Sequence, residues 1–193
     1  MLPFNVEKLS NIKFSFEELT DFYRTIRQDY ASMEYRSKVF PNGFSYAMQT
    51  KLADVTLPCF PYDAPGEVAD NYKFNTPTPL MFGFAKKLLD AFPYARQMVI
   101  TTHGPGARIE FHIDKEMYSD EEHVKIHIPI ETNSQSYFQF DNEEIVLECG
   151  NAYLVNTTIS HGTDNRGSTD RAHLIFKVPI SAVDTILNTE VVI

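Results

Sequence analysis

Four stretches carry the reading: RIEFHID at 108–114, HVKIHIPIETN at 123–133, ECGNAYLVNTTISH at 148–161 and DRAHLIF at 170–176. The second is the most regular. Val124, Ile126, Ile128 and Ile130 alternate with Lys125, His127 and Pro129, a period of two that gives a β-strand one apolar face and one polar face. In the first, Ile109 and Phe111 alternate with Arg108 and Glu110. Residues 96–102, 137–140, 145–147, 152–155 and 172–178 also read as strands, with turn signals at Asp141-Asn142, Gly150-Asn151 and Asn165-Arg166-Gly167. Short strands punctuated in this way predict a sandwich or barrel in place of alternating βα units.

Outward from this region the pattern changes. Residues 1–14 alternate loosely and suit an edge strand. Ser15 stands three before Glu18, the capping-box spacing, and Leu19, Phe22, Tyr23, Ile26 and Tyr30 recur on one helical face, which predicts a helix from about 16 to 31. From 36 to 77 Pro41, Pro58, Pro61, Pro65 and Gly66 break up a segment of little periodicity. It reads as a long loop, with Phe60, Tyr62 and Tyr72 available either to cover a pocket mouth or to pin the loop to the body. A second helix is expected to start at Thr78-Pro79 and to end by Pro93. A third, capped by Ser181, is expected to run over Ala182, Val183, Ile186 and Leu187.

The 193 residues suit one domain, with 1–94 as helical and loop support and 95–178 as the core of strands. Twenty-six acidic against seventeen basic residues give a formal charge of -9, which argues against a nucleic-acid partner. Cys59 and Cys149 lie far apart without a CxxC spacing and read as two reduced thiols. No apolar run approaches the roughly 20 residues that span a bilayer, so no membrane partner and a cytoplasmic location are expected.

The chemistry gathers around His112 and Asp114, two apart on a strand and therefore on one face. His161 follows another strand-like run. Two imidazoles and one carboxylate on one side of a metal leave positions open for other ligands, the arrangement of Fe(II) oxygenases; zinc accepts the same set. The duller reading of an isolated HxD is a solvated strand edge. Ten residues beyond His161 stands Arg171, whose rigid fork suits a carboxylate. If Val124, Ile126 and Ile128 face a core, Lys125 and His127 face the other way and call for anionic company. His103 and His123 read as surface or supporting residues, and His173 as sharing the face of Arg171 without being a ligand. HGPGARIEFH lacks the spacing and downstream helix of a phosphate-binding loop.

PGARIEFHID, KIHIPIETN with Phe138 after it, CGNAYLVNTTISHGTDN and RAHLIF together resemble the aspartyl/asparaginyl β-hydroxylase-like branch of the 2-oxoglutarate- and Fe(II)-dependent dioxygenases, which also includes free-proline hydroxylases. The likeness covers roughly residues 95 to 178. It implies a mainly β fold with flanking helices, a double-stranded β-helix or cupin-like jelly roll. It implies His112, Asp114 and His161 as iron ligands and Arg171 as the partner of the far carboxylate of 2-oxoglutarate. Lys125 and His127 correspond to residues that contact or orient that co-substrate, and Thr101 falls near a position where some members use a hydroxyl. The reaction implied consumes O2 and 2-oxoglutarate, releases succinate and CO2, and hydroxylates an unactivated carbon of a proline-like amino acid or of a peptide Asp, Asn or Pro side chain.

Two departures stand out. Some protein-modifying members lack the carboxylate ligand, whereas Asp114 is present. Lys125 stands where several relatives carry Arg, keeping the charge and losing the fork. The acidic run KEMYSDEEHV at 115–124 looks longer than in some relatives. Outside this class, the same residues fit a non-oxygenase cupin-like metal enzyme, or a jelly-roll binding protein without turnover.

Overall fold

The structure is a computed structural model that describes residues 2–36, 42–50, 55–56, 58, 75–114 and 122–193. In chain order its strands are β1 (Val6–Lys8), β2 (Ile12–Lys13), β3 (Tyr35–Arg36), β4 (Gly43–Ala47), β5 (Gln49–Thr50), β6 (Thr76–Pro77), β7 (Arg96–His103) and β8 (Arg108–His112). They continue with β9 (His123–Glu131), β10 (Ser136–Phe140), β11 (Glu143–Ile145), β12 (Tyr153–Val155), β13 (His161–Asn165), β14 (Arg171–Pro179) and β15 (Val191–Val192). The helices are α1 (Phe16–Asp29), α2 (Gly83–Ala91) and α3 (Val183–Asn188).

Seven strands form the large sheet, in the order β1-β12-β9-β14-β7-β4-β3, and four form a smaller one, β11-β10-β13-β8. Two-stranded pairs, β15-β2 and β5-β6, complete the set. The expectation of a mainly β, cupin-like jelly roll is corrected here. The fold is mixed α/β, and among the described residues no sheet closes into a barrel or curls on itself. The large sheet runs out at β1 and β3, and the small one at β11 and β8. Alternation counts strands and assigns their faces, but closure depends on which edges pair, and a period of two carries no information about edges.

The alternation in β9 survives intact. Val124, Ile126 and Ile128 are fully buried in a core with Leu174 and Phe176 of β14, Ile100 of β7 and Leu154 of β12. Helices α1 and α2 cover that face. In α1 the Ser15 Oγ accepts from the Glu18 amide at 3.2 Å, as the capping spacing predicts. Its buried stripe is Leu19, Phe22, Tyr23 and Ile26; each such side chain contributes about 1.5–3 kcal/mol when fully buried. A second, smaller cluster of Phe138, Phe140, Leu147, Tyr153 and Val155 joins β10 of the small sheet to β12 of the large one.

Other local expectations shift. Helix α2 starts at Gly83, not at Thr78, because the Thr78 hydroxyl donates to the Ala47 carbonyl at 2.7 Å and accepts from the Leu80 amide at 3.1 Å, which ties this turn to β4. Helix α3 has Ala182 at its N-cap with no side-chain cap, since Ser181 is taken into a 3-10 turn over Ile180–Ala182. Within the stretch read as a loop, Gly43–Ala47 forms β4, held by antiparallel pairing to β7 with Ser45 opposite Thr101. Strand β1 takes the edge position expected of it and pairs with β12.

Pro41, Cys59, Phe60, Pro61, Tyr62, Pro65, Gly66, Tyr72 and residues 115–121 of the acidic run lie outside the described residues. Cys149 is a free thiol. No helix among the described residues is long and apolar enough to cross a membrane.

Candidate metal centre

Strand β13 begins at His161 and pairs antiparallel with β8, so that His161 and His112 are direct cross-strand partners. Residues opposite one another on neighbouring strands bring their side chains close, and the two imidazole centroids are 4.4 Å apart. Asp114 lies just past β8, where its amide donates to the Thr157 carbonyl at 3.1 Å. His112, Asp114 and His161 each offer a ligand atom within 4.8 Å of the others. Asp114 Oδ1 is 3.6 Å from His112 Nε2, and its Oδ2 is 3.9 Å from His161 Nε2.

Each histidine is oriented the same way. His112 Nδ1 sits 2.8 Å from the Glu110 carbonyl, and His161 Nδ1 2.9 Å from the Ile159 carbonyl. A carbonyl only accepts, so Nδ1 carries the hydrogen and Nε2 presents a lone pair. This is the backbone support that metal-binding imidazoles need to hold their tautomer. His161 also stacks on Phe138, 5.6 Å between centroids. Two Nε2 lone pairs and a carboxylate converging on one point fit a divalent metal, and the donor set is that of Fe(II) sites. The His112 side chain is 38% exposed while those of Asp114 and His161 are 7% and 3%; the cluster therefore opens to solvent on the β8 side.

Gly162 makes this convergence possible. The register between β13 and β8 slips between His161 and Thr163, and a Cβ at Gly162 would lie 2.8 Å from the Ile109 carbonyl oxygen. Only a residue without a side chain allows the two strands so close.

The charges are ordered as a metal site needs them. Burial works to raise the Asp114 carboxyl, but Lys125, whose Nζ is 2.5 Å from Oδ2, and His112 together hold it well below the usual carboxylate range. His112 is raised, chiefly by its hydrogen bond to Asp114. His161 is lowered to about 4 by burial and is neutral at physiological pH.

Behind this cluster lies the polar face of the large sheet. Arg171 is 3% exposed. Burial alone lowers its guanidinium, to about 9, so it remains a cation at neutral pH, and no carboxylate among the described residues pairs with it. Its Nη1 is 3.4 Å from His103 Nδ1. Thr101 is the register partner of His173, as His103 is of Arg171. Thr101 Oγ1, His127 Nε2, His173 Nε2 and Ser45 Oγ are buried without a hydrogen-bond partner. A buried cation among unsatisfied donors is costly unless an anion completes it, and a carboxylate is the chemistry that fits.

Of the residues singled out in the sequence, His112, Asp114, His161 and Lys125 come together at one point, and Arg171, His127 and Thr101 share the neighbouring sheet face. His103, read as a surface or supporting residue, is buried beside Arg171, lowered to about 3 by burial and then by that guanidinium. Nothing in its local sequence signalled this, because strand pairing alone sets it opposite Arg171. Ser45 likewise reaches this face only through the pairing of β4 with β7, opposite Thr101.

Residues 68–179 match the family model described as aspartyl/asparaginyl beta-hydroxylase. No curated protein matches the sequence. Among solved structures, a prolyl-4-hydroxylase from Pseudomonas putida is similar over 91% of this chain and 92% of its own, at 10% identity and a TM-score of 0.55. The viral collagen prolyl hydroxylase of Paramecium Bursaria Chlorella virus-1, solved with 2-oxoglutarate, is similar over 92% and 96%, at 11% identity and a TM-score of 0.53. At such identities the likeness is one of fold.

Proposed function

The chain belongs to the aspartyl/asparaginyl beta-hydroxylase family, and from that premise we propose that it is a 2-oxoglutarate- and Fe(II)-dependent dioxygenase that hydroxylates an unactivated carbon of a proline-like amino acid or of a peptide Asp, Asn or Pro side chain. The observation that carries this reading is a pairing of sites: a convergent His112, Asp114 and His161 beside a buried Arg171 with no carboxylate partner among the described residues. A metal enzyme without an anionic co-substrate has no use for the second.

Iron held there supplies activation of O2 coupled to oxidative decarboxylation of 2-oxoglutarate, giving succinate, CO2 and a hydroxylated carbon. The chain's own residues do the rest. The Glu110 and Ile159 carbonyls fix the tautomers of the two histidines. Asp114, kept ionised by its surroundings, brings the negative charge that favours a divalent ion. Arg171 binds the far carboxylate of the co-substrate, where its burial strengthens the attraction. Lys125 and His127 orient the near end, and Thr101 offers a hydroxyl on the same face. In this reading 95–178 carry the chemistry and 1–94 support it, and the site operates in the cytoplasm without a nucleic-acid or membrane partner.

The test is succinate release with Fe(II), 2-oxoglutarate and O2, over free proline, related amino acids and Asp-, Asn- or Pro-containing peptides. His161→Ala is expected to abolish release by weakening the metal. Arg171→Leu is expected to weaken 2-oxoglutarate binding while leaving metal affinity near that of the unaltered protein. Whether free amino acids or peptides stimulate release distinguishes the two substrate classes. No 2-oxoglutarate binding and no turnover with any of these substrates would overturn the reading.

A further inference from the structure

The geometry points to His173 as the positioning residue that decides which nitrogen of His127 carries the hydrogen, making His127 a donor to a carboxylate of the co-substrate. This rests on the functional reading above for the identity of the ligand, but the histidine pair itself is a matter of protein geometry.

The two rings meet through like atoms. His127 Nδ1 and His173 Nδ1 are 3.4 Å apart, with the rings nearly perpendicular at 83° and centroids 5.7 Å apart. Two Nδ1 atoms share a hydrogen bond only when one bears a hydrogen and the other a lone pair. Both residues are almost wholly enclosed, 3% and 1% exposed, and burial keeps both imidazoles neutral. Each ring then has a single N–H, so the two tautomers are opposite. One ring carries its hydrogen on Nδ1, and the other carries it on Nε2.

The surroundings choose between the two solutions. Beyond their shared neighbour Arg171, His127 lies in the field of Lys125 and Asp114, and its ring stands edge-on to Phe138, 5.3 Å between centroids, which in turn stacks on His161. His127 therefore stands on the metal side of the pair and His173 behind it, with Thr101 as its strand partner. The Nε2 atoms of both rings are buried and unpartnered. A carboxylate at the near end of the co-substrate, beside Lys125, requires hydrogens from its neighbours, and a lone pair at His127 Nε2 would repel it. His127 must then carry its hydrogen on Nε2 and accept at Nδ1. It follows that His173 donates from Nδ1 and keeps a bare Nε2, which is an acceptor near the Arg171 guanidinium. The reverse assignment sets a lone pair against the ligand and a second buried N–H near a cation.

Nitrogen-15 spectra of histidine-labelled, Zn(II)-loaded protein read the tautomers directly, because protonated and bare ring nitrogens resonate far apart. The expected result is Nε2–H for His127 and Nδ1–H for His173. Calorimetric titration of the Mn(II)-loaded protein with 2-oxoglutarate provides the functional half. His173→Phe, which keeps a ring but has neither donor nor acceptor, is expected to weaken 2-oxoglutarate binding about tenfold, the loss that comes with one buried hydrogen bond, with Mn(II) affinity unchanged. His173→Asn, whose amide N–H reaches where Nδ1–H does, is expected to restore most of it. A hydrogen on His127 Nδ1, or wild-type 2-oxoglutarate affinity in the Phe variant, overturns the proposal. Spectra as expected in a protein that does not bind 2-oxoglutarate overturn the functional reading and leave the tautomer assignment standing.

Discussion

At the scale of single residues, the candidate centre is a problem of keeping charges and hydrogens where a metal can use them. Backbone carbonyls two residues upstream hold His112 and His161 with Nε2 inward, and Asp114 is kept ionised despite its burial. The Asp114 carboxylate, which accepts from His112 Nε2 when that nitrogen is protonated, also raises His112 above the ordinary histidine value. A raised value means that His112 still carries a proton at a pH where an ordinary histidine has lost it. Metal and proton compete for that nitrogen, so metal affinity falls as pH falls through this range. Zn(II) or Mn(II) titrations are expected to show apparent affinity falling as pH is lowered towards and through the ordinary histidine value of about 6.5. His161, lowered to about 4, takes no part in the drop. A pH-independent affinity would show that His112 is not a ligand.

Among the elements, the decisive contact is between β8 and β13. The slip in their register at Gly162 sets His161 against His112, and the strands touch so closely there that a methyl group would strike the Ile109 carbonyl. Gly162→Ala is expected to cost about 1–3 kcal/mol, the usual range for overpacking, and to weaken metal binding by displacing His161. Denaturant midpoints and a metal titration on the same variant check both effects. A fully stable variant with unaltered metal affinity would mean that the strands can part without loss. The helix α1 was legible in advance because its signals are local: a Ser15 cap and an apolar stripe at helical spacing. The starts of α2 and α3 are not local in this way: Thr78 and Ser181 carry the marks of a helix start, but the Thr78 hydroxyl serves the β4 carbonyl at Ala47 and Ser181 lies in a 3-10 turn.

For the molecule as a whole, four histidines are buried and neutral. His103 is lowered to about 3, His161 to about 4, and His127 and His173 well below the ordinary value, all chiefly by burial. The unfolded chain takes up protons on these side chains below about pH 6.5, while the folded chain does not. Stability is therefore highest above that pH and declines as pH falls, by about 1.4 kcal/mol per pH unit for each histidine fully in this regime. Asp114, lowered in the folded state, adds its own loss only at the acid end, below its ordinary value. His112, raised in the fold, works in the opposite sense and offsets part of the decline. Urea midpoints of metal-free protein are expected to fall steeply between about pH 6.5 and about pH 4.5 with little change in slope. A midpoint that holds steady would mean that the histidines are hydrated and titrate freely.

The sequence by itself determined which residues share a face. Alternation in HVKIHIPI separated Val124, Ile126 and Ile128 from Lys125 and His127, and the HxD spacing put His112 and Asp114 on one side of a strand, because a strand's side-chain period is a local property of its backbone. It also singled out Arg171, ten residues beyond His161, because the rigid fork of an Arg suits a carboxylate. What only the tertiary structure decided was everything that depends on edges and pairing. Whether the sheets close, that β4 exists and brings Ser45 to Thr101, that His103 lies opposite Arg171, and that His127 meets His173 nitrogen to nitrogen all follow from contacts between residues far apart in the chain. Their energies are set by which strands lie side by side, and no window of sequence contains that.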